Sequence, residues 1–138
     1  MQTMALSTES RLIAGAVLLT IVTIQIGGWY MTRIARGAAP LTDFQKSFAR
    51  AGHGHAGVLV LLSLVGLLYV DATGLSGALL WIARLGLPVA AILMPAGFFA
   101  SSAGQNATGP NKLVWVLWIG ALSLAAGVIS LGVGLLTA

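Results

Sequence analysis

Residues Leu12 to Met31 read LIAGAVLLTIVTIQIGGWYM, twenty positions without a charged side chain. At about 1.5 Å of rise per residue, a helix of this length covers roughly 30 Å, the thickness of a bilayer's hydrocarbon core. Three more apolar runs follow, which predicts spans at about 11–32, 43–70, 76–100 and 112–137. The expected fold class is therefore all-α, an integral membrane bundle of four transmembrane helices. In lipid every backbone donor and acceptor has to be satisfied within the protein, and helices do this segment by segment. Four spans use up a chain of 138 residues and leave no length for a soluble domain, so a single domain over 1–138 is expected. The first run is longer than the apolar core of a signal peptide and is read as a retained span.

Composition narrows the chemistry. Hydrophobic residues make up 58% of the chain and charged ones 7%, and there is no cysteine. Disulfides, thiolate zinc sites, cysteine-ligated iron–sulfur clusters and thioether-attached haem are thereby excluded. The excess of basic residues is a topology signal and not a nucleic-acid surface. Arg33, Arg36, Lys46 and Arg50 lie between the first two runs and Lys112 precedes the fourth, while only Arg11 and Arg84 fall on the other side. By the positive-inside rule, the first and third loops are cytoplasmic and both termini lie outside the plasma membrane.

The boundaries carry their own signals. Ser7-Thr8-Glu9-Ser10 offers capping hydroxyls to the first helix, and Trp29-Tyr30 forms an interfacial aromatic pair at its end. Leu41-Thr42-Asp43 reads as a turn and N-cap for a second helix with Phe44, Phe48, His55, Leu59 and Leu62 along one stripe. Pro88 and Pro95 fall inside the third span and free the carbonyls of Arg84 and Ala91. Arg84 is near enough to the outer surface to reach Asp71. Small residues recur through the fourth span, as close packing of helices in lipid requires.

In this topology the polar groups gather at one face. Gln25, Tyr30, His53, His55, Ser101, Ser102, Gln105, Asn106 and Asn111 all belong to the cytoplasmic half. His53 and His55 are the only imidazoles. At 100° per residue they point about 200° apart, so a regular helix cannot aim both at one metal, and the i, i+4 pair of zinc proteases is missing. One histidine with a porphyrin lying against the helix flank needs no distortion, because imidazole is an ordinary axial haem ligand. Nearby glycines such as Gly57 would let a flat ring approach the backbone. The plainer alternative is a solvated interfacial histidine, or one bonded to a neighbouring carbonyl. Glu9, Asp43 and Asp71 are the whole acidic inventory and none falls in mid-membrane, which argues against a carboxylate proton relay. Ser101 and Ser102 have no acid placed to orient a histidine, so serine hydrolase chemistry is not indicated.

The segment Phe48-Ala49-Arg50-Ala51-Gly52-His53-Gly54-His55-Ala56-Gly57 resembles the Ala-Arg-Ala-His segment of styrene oxide isomerase and its small four-helix membrane relatives. Chain size, four spans and Gly97-Phe98-Phe99 late in the third helix are also similar. The resemblance implies a homotrimer binding haem b through a helix-two histidine. It also implies a ferric Lewis acid that turns a small apolar epoxide into an aldehyde without net redox change. On this reading His55 is the first choice of iron ligand and His53 the second, with Gly57 and Phe99 beside the cofactor. The sequence departs from the pattern in an extra glycine before the first histidine. It also has Leu59-Val60-Leu61 where the family carries an asparagine, and Phe99 where it carries a tyrosine. Gln25, Tyr30 and Asn106 are the groups left to form a polar pocket. Two other functions fit the same chain: haem-linked electron transfer or sensing, and a cofactor-free accessory subunit of a larger membrane complex.

Overall fold

The computed structural model describes residues 6–138; the first five residues of the single-domain reading lie outside them. Four helices follow in order: α1 Thr8–Ala35, α2 Asp43–Val70, α3 Gly77–Ser101 and α4 Val114–Leu136. All four are long and apolar enough to cross a membrane, and no strand occurs among the described residues. The chain is an all-α, multi-pass integral membrane bundle.

Each helix starts where its sequence provides an N-terminal partner or a turn. Ser7 Oγ accepts from the Ser10 amide at 3.2 Å and caps α1. Thr42 and Gln45 form a reciprocal capping box on α2. The Gln45 amide also donates to the carbonyls of Ser102, at 3.0 Å, and Gly104, at 2.8 Å, while the Thr42 hydroxyl donates to the Ala107 carbonyl. The α1–α2 and α3–α4 connections are thus tied together at one face of the bundle. The fourth helix begins two residues later than the run predicts. Asn111 intervenes: its Oδ1 accepts from the Leu113 amide at 2.8 Å, and its Nδ2 donates to the Ala100 carbonyl at 2.9 Å.

The seam between α3 and α4 is built on glycine, while Leu67, Val70 and Leu87 are the bulkiest side chains buried elsewhere in the core. The only fully buried residues of α4 are Gly120, Gly127 and Gly134, spaced by seven so that they line one seam. Gly127 lies against Gly86 of α3, where a Cβ on Gly86 would sit 2.5 Å from the Gly127 Cα. The Ser123 hydroxyl donates to the Gly86 carbonyl at 2.9 Å beside this contact. Leu59, Ala90 and Met94 close the centre between α2 and α3. By contrast, α1 packs along α2 and makes no extended contact with α3 or α4.

At the opposite face the start of α1 is held by an ion pair. Arg84 Nη2 donates to Asp71 Oδ1 at 2.9 Å, the Ser10 hydroxyl to the same oxygen at 3.1 Å, and the Ser7 amide to Oδ2 at 2.8 Å. Burial would raise the Asp71 pKa, but the Ser7 amide, Arg84 and the Ser10 hydroxyl outweigh it and hold the carboxyl below its ordinary value.

Candidate functional site

The chain in α2 stays regular through both histidines, so they point to different sides of the helix, as their spacing requires. Phe98 and Phe99 of α3 meet α2 at Gly52, where an added Cβ would lie 3.0 Å from the Phe98 Cβ and 3.0 Å from the Phe99 ring. Only glycine lets the two aromatics straddle the helix at that level. Phe98 goes to the side of His55 and Phe99 to the side of His53.

His55 belongs to an aromatic run. Phe44 and Phe48 are 4.3 Å apart between ring centroids, Phe48 and Phe98 5.4 Å, and Phe98 and His55 4.9 Å. The His55 Nδ1 lies 2.8 Å from the Ala51 carbonyl. A carbonyl only accepts, so Nδ1 donates, and in the neutral ring the lone pair is left on Nε2. Around that ring the helix surface is apolar. Val58 and Leu62, one and two turns further along, are exposed.

His53 faces the other way, into a cleft of about 670 Å³ between α1, α2 and α3. From α1 the wall is the stripe Ile13, Ala16, Val17, Thr20, Thr23, Ile24 and Gly27. On α3 it runs from Leu85 through Pro88, Ile92 and Pro95 to Phe99, while His53, Ala56 and Val60 form the floor. The two threonine hydroxyls are turned back onto their own helix, Thr20 to the Val17 carbonyl and Thr23 to the Thr20 carbonyl, each at 2.6 Å. His53 is left as the one polar side chain of the cleft without an intramolecular hydrogen bond among the described residues. Its Nδ1–Cε1–Nε2 edge looks toward the α1 backbone. A Cβ on Gly27 would lie 3.3 Å from Nδ1, and one on Gly28 would lie 3.8 Å from Nε2.

Of the residues singled out in the sequence, the structure brings His53 and Phe99 together in the cleft and places His55 outside it. Gly57 sits in open space on α2. Gln25 is exposed on α1, one position off the cleft stripe and so rotated about 100° away from it. Tyr30 is half-buried near the end of α1 and does not line the cleft. Asn106 is exposed in the α3–α4 connection with φ 53°, a left-handed turn position that asparagine tolerates. None of these three groups lines the cleft. The prolines of α3, read in the sequence as kink sites, turn out to be cleft walls. Their spacing of seven, on one face and in register with the α1 stripe, was the signal available. Among the described residues no three His, Cys, Asp or Glu side chains gather into a metal-binding group.

No family model, curated protein or solved structure matches the chain.

Proposed function

We propose that this integral membrane protein binds haem b through a single imidazole of α2, His55. The observation that supports this reading is the 2.8 Å bond from Nδ1 to the Ala51 carbonyl. The plainer carbonyl-bonded histidine has the same bond, but the bond also orients the ring and leaves the Nε2 lone pair free for a ligand. Axial histidines ordinarily have their second nitrogen occupied in this way. Beside His55 the side of α2 that carries Val58 and Leu62 is apolar and exposed, which suits the face of a macrocycle.

His53 fits a macrocycle less well. A porphyrin perpendicular to a bond from either of its nitrogens would run into the α1 backbone at Gly27 and Gly28. A ring on the outer flank of α2 would be covered from its other side by a second copy of the chain, so the functional form is read as a homo-oligomer, a trimer by the family resemblance. The basic α1–α2 face is read as cytoplasmic, with both termini outside the plasma membrane. Bound haem would supply a ferric Lewis acid, and the reaction the resemblance implies is isomerisation of a small apolar epoxide to an aldehyde. The chain's own part is to orient one imidazole and keep the surroundings apolar.

The test is the visible spectrum of haem-replete protein in detergent, wild type beside His55→Ala and His53→Ala. A Soret band lost in His55→Ala and kept in His53→Ala is expected. Loss only in His53→Ala would transfer the ligand to the cleft, and no band in the wild type would end the haem reading. An aldehyde product from styrene oxide, absent with His55→Ala, would add the isomerase step.

A further inference from the structure

The cleft on the His53 side of α2 is a slot between two helices, α1 and α3, that run in the same direction. At about 670 Å³ it falls within the roughly 300–1,000 Å³ of small-molecule sites. No charged side chain lines it, so an ion would lie there without a partner, and burying an unpaired charge is costly. The occupant these walls accept is neutral and has an apolar skeleton.

What the slot lacks is hydrogen-bond donors. Pro95 has no amide hydrogen, so the Ala91 carbonyl loses the donor that an α-helix ordinarily gives it, and both residues line the slot. The wall hydroxyls do not replace that donor, since Thr20 is committed to the Val17 carbonyl and Thr23 to the Thr20 carbonyl. Thr20 lies seven residues past Ile13 and Ala91 six past Leu85, at about the same level near the middle of the two walls. A hydroxyl whose proton is spent on its own backbone still accepts. The middle of the slot therefore offers two acceptor oxygens, and lipid tails bring no donor to them. His53 is at the inner end, its ring packed on Gly27 and Gly28, seven or more residues and roughly 10 Å further along α1 than Thr20. Pro88 lines the slot as well, but the carbonyl it frees belongs to Arg84, which does not.

We propose that the slot binds one compact, neutral molecule with an apolar skeleton and a single hydroxyl, which donates to the Ala91 carbonyl. The molecule enters from lipid through the gap between α1 and α3, where Ile92 stands at the rim, 62% exposed. The site lies on the other side of α2 from His55 and does not depend on haem.

Thymol and p-cymene serve as probes, because they share one carbon skeleton and differ by a phenolic hydroxyl. The experiment measures saturable binding of tritiated thymol to the full-length protein in nanodiscs, without added haem and against empty nanodiscs, and its displacement by each unlabelled compound. Wild type is expected to bind one thymol per chain. The ratio of the two affinities is compared between variants, so that partitioning into lipid cancels. In Pro95→Ala the new amide takes up the Ala91 carbonyl, and the preference for thymol should fall about fivefold, the net worth of one hydrogen bond. Pro88→Ala trims the same wall without touching that carbonyl, and its ratio should match wild type. Ala16→Phe, which fills the slot from α1, should abolish displaceable binding of both compounds. Alanine is the better helix former, so both proline variants should fold, and circular dichroism with monodisperse elution checks all three. The proposal is overturned by thymol binding no greater than to empty discs, by binding that survives in Ala16→Phe, or by equal thymol preference in wild type and Pro95→Ala. A fall of the same size in Pro88→Ala would overturn it too, since wall shape would then account for both. The Soret band of wild type decides the haem reading separately, so either can fail without the other.

Discussion

The two faces of α3 meet their neighbours in opposite ways. Toward α4 it presents Gly86 and Gly97 to Gly127 and Leu117, and backbone lies nearly on backbone. Toward α1 it presents Leu85, Ile92 and Phe99 with two prolines, and the facing helix stays apart. The small residue on this face of α1, Ala16, lines the gap without closing it, and Gly15 beside it meets nothing within 4 Å of where its Cβ would be. In lipid there is no hydrophobic drive to close a gap between helices, so contact follows only where small residues face a surface shaped to receive them. One face of α3 therefore supplies rigidity and the other supplies space.

The largest effect should come from breaking the closed face. In Gly127→Leu the new side chain would start 2.9 Å from the Gly86 Cα, against backbone that cannot move aside. The cost should exceed the roughly 1–3 kcal/mol usual for overpacking, and thermal unfolding in detergent should show little cooperative transition.

Next comes the polar tie that holds α1 at the far end of the open face. Asp71→Asn leaves the Arg84 guanidinium, 6% exposed, without its counter-charge, while Asp71 itself is 16% exposed. The loss should approach but not reach the roughly 3–5 kcal/mol of a fully buried pair. The pH dependence has a definite sign. The carboxyl is held below its ordinary value of 3.8, so its contribution is complete above that pH and is lost as pH falls through the lower, folded-state value. Wild-type melting temperature should accordingly fall below about pH 4, and in Asp71→Asn this part of the fall should vanish, which a pH series of melts would reveal.

The smallest effect sharpens the contrast. Gly15→Ala fills open space on a helix, and removing a helical glycine should stabilise by about 0.5–1 kcal/mol, visible as a slightly higher melting temperature. A destabilised Gly15→Ala would mean that this exposed side of α1 is covered in the folded protein.

Much of the fold was legible because length and apolarity leave a membrane chain few choices. The spans, the Thr42 cap, the Phe44–Phe48–His55 stripe and the Arg84–Asp71 pair could be read from spacing and charge alone. The cleft could not. Ile13, Thr20 and Gly27 on α1 share an ordinary helical face with nothing to say what it opposes, and Pro88 and Pro95 look like kinks until α1 stands across from them. Gln25 misled for a related reason: an amide in an apolar run implies a partner, but the structure leaves it on the exposed side of α1.

By itself the sequence determined four apolar helices, their order along the chain, and two imidazoles aimed to opposite sides of the second. These are local properties, set by rise, rotation and hydrophobicity per residue. The tertiary structure alone decided that α3 closes on α4 and stands off from α1, that Phe98 and Phe99 part around Gly52, and that His53 heads a slot while His55 faces outward. These depend on which surfaces meet, and in lipid that is settled by the fit of one helix surface to another and not by burial of apolar area.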